Sequence, residues 1–259
     1  MCTLAIYFQT NRDFPVVVAA NRDEFYERPA TAPTRLVEEP LVVGGRDVRA
    51  GGTWLGVNAD NLVAGVLNRR SYTPPDATRR SRGLLCLEVL RESSVTAAAA
   101  RVLRDPGDLY NPFNLLIASP EAACVIGNVS GAMLKMSLPP GVHLLTNLEL
   151  NDIECPRIAK SYALFEDASD ALAADSLDRF LTRLRTILSD HSTPLDPRAD
   201  GPPNNLCVHT ERFGTRSSNV LVYSARAQAF RMWHVSGPPC RNPYAEVDLP
   251  APKATAGQS

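Results

Sequence analysis

The sequence has no long apolar run and no excess of charge of either sign. Nowhere do about 18 consecutive apolar residues occur, the length that a membrane-spanning helix requires. No basic leader precedes an apolar run at the start of the chain, so we expect no signal peptide and a cytoplasmic location. With 27 Lys and Arg against 28 Asp and Glu, the chain carries no general basic field, which argues against nucleic acid or an anionic membrane surface as the main partner.

Metal-binding patterns are missing as well. The six cysteines are widely scattered, with neither a CxxC pair nor a compact spacing that would suggest zinc. No ligand spacing relates the four histidines, which are His143, His191, His209 and His234. We therefore expect no metal site and no resident cofactor, and we expect most thiols to be buried as small apolar side chains.

Cys2 differs from the other cysteines because of its position. Removal of Met1 would make Cys2 the first residue and would place a free α-amino group beside its thiol. That amine can serve as the base that activates the thiol, without any histidine. Cys2 could equally be the first residue of an ordinary strand, and position alone leaves both interpretations open.

The order of predicted elements indicates an α+β fold. Residues 2–9 and 14–20 are rich in β-branched residues and predict a hairpin, whereas the proline- and glycine-rich segment 25–52 predicts an irregular surface segment with short strands. Further strands follow in blocks, separated by two helical pairs that include 83–90 and 176–188. This order lacks the regular strand-helix alternation of a parallel sheet. Two mainly antiparallel sheets, each with a helical layer outside, would bury the apolar faces.

No repeat and no internal domain boundary is apparent. An apolar content of 44% is enough for a substantial core. We predict one domain over residues 1–237, including a proline-rich, linker-like segment at 191–205. The polar, proline-containing segment 238–259 is predicted to be a frayed tail.

The predicted hairpin brings polar residues to Cys2. The end of its second strand, Asn21-Arg22-Asp23, would lie beside the start of the first strand. A guanidinium there would favour the thiolate, whose ordinary pKa is about 8.5, and a carboxylate could hold the α-ammonium group. Alternatively, Arg22 and Asp23 form a structural ion pair that fixes a loop.

A cluster of arginines surrounds the Pro74-Pro75 turn. Its members are Arg69, Arg70, Arg79, Arg80 and Arg82. One interpretation is a solvated loop. The other is a gate that attracts a carboxylate or phosphate substrate.

Several short motifs occur in order along the chain. They are Asn21-Arg22-Asp23-Glu24 after Cys2, Gly51-Gly52-Thr53-Trp54-Leu55-Gly56-Val57, Leu67-Asn68-Arg69, Thr146-Asn147 and Gly214-Thr215-Arg216-Ser217-Ser218. Over nearly the whole chain this combination resembles the NRDE family, the family of the transport and Golgi organisation protein 2. That family is grouped with N-terminal nucleophile hydrolases and is similar to their cysteine branch, which contains penicillin V acylase, bile salt hydrolase and acid ceramidase. The resemblance implies a four-layer αββα sandwich.

The resemblance also implies roles for individual residues. It gives Cys2 as the nucleophile, Arg22 and Asp23 as its neighbours, Asn68 and Asn147 as oxyanion donors and Arg216 as the late catalytic arginine. We further expect substrate contacts from Asn21, Trp54, Arg69 and Arg70. Asn68 and Asn147 could instead be turn residues, and the Gly-Gly-Thr-Trp run could serve only to pack Trp54.

Three functions compete at this point. The first is hydrolysis of a linear amide, or of a thioester, of a small substrate by an N-terminal cysteine. The second is a non-catalytic carrier of an amphipathic ligand such as haem or a lipid, because members of the resembled family are linked to haem trafficking and lipid homeostasis; no CxxCH haem motif is present. The third, a glutamine amidotransferase, normally needs a synthase domain for which this chain has no room. The substrate and the oligomeric state stay open.

Overall fold

Strands dominate the chain and helices interrupt them twice. The structure is a computed structural model, which describes residues 2–129, 131–174, 177–192 and 205–249. In these residues the strands are β1 Thr3–Phe8, β2 Val16–Phe25, β3 Ala30–Val37, β4 Val42–Asp47, β5 Thr53–Asn58, β6 Val63–Asn68, β7 Phe113–Ala118, β8 Ala123–Val129, β9 Ala132–Ser137, β10 Gly141–Leu145, β11 Phe213–Ser224, β12 Ala229–Ser236 and β13 Ala245–Val247. The α-helices are α1 Arg82–Val89, α2 Val95–Leu103, α3 Pro156–Ala174 and α4 Leu177–Leu188.

The strands form two sheets in which all neighbours are antiparallel. The first sheet has the order β10-β1-β2-β11-β12-β13, and the second has the order β3-β4-β5-β6-β7-β8-β9. The first sheet therefore combines strands from both ends of the chain. Cys2 lies immediately before β1, and the Asn-Arg-Asp-Glu motif lies on the neighbouring strand β2.

Three apolar clusters hold four layers together. Side chains alternate across a strand, so that Leu4 and Ile6 of β1 lie between the sheets, whereas Ala5 and Tyr7 pack against α3 and α4. A third cluster joins α1 and α2 to the second sheet. The predicted αββα sandwich is confirmed. No helix in the described part of the chain is both long and apolar enough to cross a membrane.

The register of β1 and β2 sets the position of Cys2. Thr3 pairs with Asn21, so that Cys2 lies one residue beyond this pair, beside Arg22 and Asp23. The strand β2 continues to Phe25, well past the predicted end at residue 20, because it also pairs with β11 up to Phe213. The motif is thus part of the sheet rather than of a loop.

Two other predictions differ from the structure. The segment predicted as irregular with short strands contains two regular strands, β3 of 8 residues and β4 of 6 residues. Pro33 is tolerated because β3 is an edge strand of the second sheet. After residue 237 the chain packs on the domain: β13 pairs with β12, and Val247 and Leu249 contact the core between the sheets. The predicted boundary therefore falls inside this packing. Residues 250–259 and most of the linker-like segment, 193–204, lie outside the described residues.

Candidate active site

The Cys2 thiol lies at the start of β1 against the backbone of Asp23. The Asp23 N–H donates to Cys2 Sγ at 3.3 Å, and the thiol donates to the Asp23 carbonyl oxygen at 3.5 Å. Cys2 is half-buried. An N–H group directed at sulfur favours its thiolate form over the thiol.

The surroundings of Cys2 change the pKa of its thiol in opposite directions. Burial, and then the negative charge of Asp23, raise the pKa of the Cys2 thiol above its ordinary value, while the charge of Arg22 lowers it. Desolvation disfavours the thiolate because a charge is poorly solvated away from water. Nucleophilic chemistry at Cys2 therefore requires a base that removes its proton in place.

Arg22 is fixed beneath the site by an aromatic ring. Its side chain is only 6% exposed, its Cζ lies 4.3 Å from the centroid of the Trp54 ring, and its Nη2 lies 3.8 Å from Glu24 Oε2. Its Nη1 is buried and has no hydrogen-bond partner among the described residues. Burial lowers the pKa of Arg22. A buried donor without a partner is costly, and is typical of a group that binds a ligand.

Asp23 is held from the side by Thr215. The Thr215 hydroxyl donates to Asp23 Oδ1 at 2.6 Å and accepts the Val208 N–H at 2.9 Å. All three residues are buried. Thr215 pairs with Asp23 across the β2–β11 ladder, immediately before a bulge. The carboxylate is therefore fixed in orientation and coupled to the segment that contains Val208.

The cavity in front of Cys2 has a volume of about 420 Å³ and is rich in charge. Six arginines line it: Arg22, Arg28, Arg49, Arg79, Arg80 and Arg82. Four carboxylates also line it: Asp23, Glu24, Asp47 and Asp76. The lining thus carries an excess of positive charge, which suits an anionic ligand.

The arginines of this cavity differ in how they are paired. Arg28 donates to Asp47 through Nε and Nη2, at 2.9 and 2.6 Å. Arg80 forms ion pairs with Glu88 and Asp105. These guanidinium groups are largely satisfied by protein, so that part of the arginine cluster is structural.

Arg82 is the arginine best placed to bind an anion. It is the first residue of α1, and its Nη1 donates to the Pro112 carbonyl at 2.9 Å. No ion pair in the described part of the chain includes Arg82. Burial, and then the neighbouring Arg28, lower the pKa of Arg82. The sequence places Arg82 in the arginine cluster but does not distinguish it from the others.

Glycines let α1 and Trp54 approach this cavity closely. A Cβ on Gly52 would lie 2.1 Å from the Gly83 carbonyl carbon, and a Cβ on Gly45 would lie 2.4 Å from the Trp54 ring. Both distances exclude a side chain. The Gly-Gly-Thr-Trp run therefore has a role besides placing Trp54. Its glycines allow the N-terminus of α1, which includes Arg82, to pack closely against the start of β5.

The other predicted site residues are divided between two adjoining cavities. Asn68 and Trp54 line the cavity of Cys2. Asn147, Arg69 and Arg70 instead line a neighbouring cavity of about 840 Å³. The two cavities share three lining residues: Asp76, Arg79 and Asn111. The roles predicted for Asn147, Arg69 and Arg70 would therefore require a substrate that extends across this shared wall.

Two predicted residues point elsewhere. The Asn21 Nδ2 donates to the carbonyl oxygens of Leu188 and Leu206, at 2.8 and 2.7 Å, on the face of the sheet that packs on α4. Its amide is thus committed to structure, whereas the sequence predicts a substrate contact. Arg216 lies within the β11 bulge, with its Cζ 5.8 Å from the centroid of the Tyr26 ring, and does not line the cavity of Cys2.

Solved structures share this fold. The penicillin V acylase of Agrobacterium tumefaciens superposes with a TM-score of 0.57 and 14% identity, covering 91% of this chain and 83% of that chain. A Caenorhabditis elegans N-acylethanolamine-hydrolyzing acid amidase ortholog gives a TM-score of 0.56 and 14% identity, covering 86% and 92% of the two chains. A C2A mutant of the conjugated bile acid hydrolase of Clostridium perfringens gives 0.53 and 11% identity, covering 100% of both. At these identities the likeness establishes the fold of N-terminal nucleophile hydrolases and nothing finer.

Sequence relatives agree over most of the chain. The Transport and Golgi organization protein 2 homolog of Bos taurus is 29% identical over 253 residues, which cover 87% of this chain and 89% of the relative. The Homo sapiens homolog is 27% identical with the same coverage. The family model described as Transport and Golgi organisation 2 matches residues 1–232. The chain therefore belongs to the Transport and Golgi organisation 2 family.

Proposed function

We propose that this protein hydrolyses a linear amide of a small anionic substrate, with Cys2 as the N-terminal nucleophile after removal of Met1. The observation that carries the proposal is the position of the Cys2 thiol, which contacts the Asp23 N–H at 3.3 Å and opens into an arginine-lined cavity. The hydrolase fold of the chain is compatible with this reaction, because the structural neighbours include an acylase, an acid amidase and a bile acid hydrolase.

The first step forms a thioester. The free α-amino group of Cys2, whose ordinary pKa is about 7.7–8.0, takes the thiol proton as the thiolate attacks the amide carbonyl carbon. The C–N bond then breaks, and the α-ammonium group returns the proton to the leaving amine. A thiol whose pKa is raised by burial needs this base, which explains why removal of Met1 is required.

The negative oxygen of the intermediate needs donors. Asn68 and Arg22 line the same cavity as Cys2, and the Arg22 Nη1 has no hydrogen-bond partner among the described residues. Each donor that is well aligned contributes about 3 kcal/mol to transition-state stabilisation. We assign the oxyanion to these two side chains, and keep Asn147 as a contact for a more distant part of the substrate.

The second step releases the acid. Water attacks the thioester carbonyl, the α-amino group takes its proton, and the Cys2 sulfur leaves and is reprotonated. The Asp23 carboxylate is held in orientation by the Thr215 hydroxyl, which donates to Oδ1 at 2.6 Å. Its role is to orient and stabilise the α-ammonium group.

Arg82 gives the proposed substrate its charge preference. Arg82 lines the cavity, and no carboxylate among the described residues forms an ion pair with it. A charged hydrogen bond contributes about 1.5–3 kcal/mol. We therefore expect substrates with a carboxylate to be preferred over their neutral carboxamides by about tenfold or more.

The test is a panel of fluorogenic acyl amides in carboxylate and carboxamide pairs. The wild-type protein should release amine from at least one pair, Cys2→Ala should release none, and Cys124→Ala, which alters a cysteine of the second sheet outside this cavity, should keep the rate. Equal turnover by Cys2→Ala would refute the proposal. A haem titration that gives a Soret shift in wild type, with no amide turned over, would favour the rival carrier function instead.

A further inference from the structure

Four potential metal ligands converge on the far side of the first sheet from Cys2. His191, Cys207, His209 and Cys240 place one ligand atom each within 4.8 Å of all the others. The sequence predicts no metal site, because these residues show no ligand spacing along the chain. The fold brings them together from the end of α4, the segment before β11 and the loop after β12.

The distances between these atoms match those around a tetrahedral metal ion. Cys207 Sγ lies 3.6 Å from Cys240 Sγ and 3.6 Å from His209 Nε2, and His209 Nε2 lies 3.1 Å from Cys240 Sγ. With Zn–S of about 2.3 Å and Zn–N of about 2.0–2.1 Å, tetrahedral angles separate two sulfurs by about 3.8 Å and a sulfur and a nitrogen by about 3.6 Å. These three atoms would accept an ion with shifts of about half an ångström or less, and the His191 ligand atom lies within 4.8 Å of each of them.

The local backbone explains how two of the ligands meet. Cys207 and His209 flank Val208, and His209 bridges to Gly214 in extended conformation. Side chains two residues apart on an extended chain lie on the same face. Cys207 N–H donates to the Asp190 carbonyl at 3.0 Å, which brings this segment to His191.

The hydrogen bond of His191 determines which of its ring nitrogens could bind a metal ion. Its Nδ1 lies 2.9 Å from the Cys207 carbonyl oxygen. A carbonyl accepts only, so Nδ1 carries the proton and Nε2 keeps its lone pair. Metal-bound histidines commonly donate their second N–H to a backbone carbonyl in this way. An open depression lined by His191 and Cys240 provides an entry path.

We propose that His191, Cys207, His209 and Cys240 form a structural site for one Zn²⁺ ion. Two thiolates and two imidazoles in tetrahedral arrangement are typical of zinc. Binding releases two protons, one from each cysteine thiol, and the two thiolates balance the charge of the ion. Since the chain supplies all four ligands, no position remains for a reacting water, and the role is structural.

The site would fasten segments that support the Cys2 cavity. Leu206 accepts from Asn21, and Val208 donates to Thr215, which holds Asp23. Cys207 and His209 lie in this same segment. Zinc would therefore join α4, the 206–209 segment and the loop after β12, and would stabilise the hydrogen bonds behind the Asn-Arg-Asp-Glu motif.

The test is elemental analysis of the full-length protein, purified with reducing agent and without chelator. We expect about one zinc per chain in wild type and at least a tenfold lower content in Cys240→Ser and His209→Gln. The matched control is Cys2→Ala, which changes a cysteine outside the cluster and should keep its zinc. Far-UV circular dichroism confirms that the variants are folded, which is expected for the exposed Cys240.

A measurement on the wild-type chain needs no variant. Replacing zinc by Co²⁺ should produce thiolate charge-transfer bands and the intense visible bands of tetrahedral cobalt. The proposal is refuted if reconstituted wild type binds no stoichiometric metal, if folded Cys240→Ser retains it, or if mass spectrometry finds a Cys207–Cys240 disulfide in the protein as isolated. A wild-type chain without zinc would not contradict the hydrolase proposal, because Cys2 does not belong to the cluster.

Discussion

Thr215→Val tests the hydrogen bonds that hold Asp23 in place. The substitution keeps the shape of the side chain but removes the hydroxyl that donates to Asp23 Oδ1 at 2.6 Å and accepts from Val208 N–H at 2.9 Å. A hydrogen bond to a charged group contributes about 1.5–3 kcal/mol, and a buried N–H left without a partner costs about 1–3 kcal/mol. Because some relaxation is expected, we predict a loss of about 3 kcal/mol in the free energy of unfolding.

Urea unfolding with a constant m value measures this loss. The matched control is Thr182→Val on the exposed face of α4, where the hydroxyl only donates to the Asp178 carbonyl of its own helix. The control should change stability by about 0.5 kcal/mol or less. If Thr215→Val loses less than about 1 kcal/mol, or no more than the control, then the Thr215 hydroxyl does not fix Asp23 and the reasoning fails.

Three further predictions concern the surrounding structure. Gly52→Ala should lower the free energy of unfolding by more than about 3 kcal/mol, because its Cβ would lie 2.1 Å from the backbone of Gly83. Gly51→Ala has open space around its Cβ but a φ of 75°, and should lose only about 1–2 kcal/mol in the same urea titration. Equal losses in the two variants would contradict this prediction. Arg82→Gln should reduce the preference for carboxylate substrates about tenfold, and Arg82→Lys should retain part of it; an unchanged preference would exclude Arg82 from substrate binding. Burial lowers the pKa of His234 to about 4, so the unfolded state binds more protons than the folded state between about pH 6.5 and 4. As pH falls through that range, the wild-type protein should lose up to about 3 kcal/mol more of its free energy of unfolding than His234→Asn. Parallel curves of stability against pH would show that the pKa of His234 is not lowered.

The sequence predicts the layers of the fold because they follow from local patterns. Alternating apolar residues and a short turn predict the hairpin of β1 and β2, and the 3.6-residue period predicts α4. The sequence predicts short strands in the segment 25–52 but not the bounds of β3 and β4, because proline and glycine obscure their pattern. An edge strand nevertheless tolerates Pro33, and Gly45 leaves room for the Trp54 ring.

The site was harder to predict because it depends on tertiary contacts. The position of Cys2 beside Arg22 and Asp23 could be predicted, because the two strands of a hairpin are neighbours and their register pairs Thr3 with Asn21. Thr215 reaches Asp23 only through pairing with a strand almost 200 residues later in the chain. The orientation of Asn21 toward α4 follows from strand alternation once the buried face is known. No pattern in the sequence reveals which face that is, because both faces of a central strand are apolar.

The central claim is that Cys2 acts as an N-terminal nucleophile, and intact-protein mass spectrometry tests it most directly. The protein is incubated with a slowly deacylating ester or amide, and its intact mass is measured. A digest of the same sample then identifies the N-terminal peptide and the acylated residue. The account predicts a chain that begins at Cys2 and one acyl group on the Cys2 peptide, present in Cys124→Ala and absent in Cys2→Ala. A purified, folded chain that still begins at Met1, or an acyl group that persists in Cys2→Ala, would contradict it.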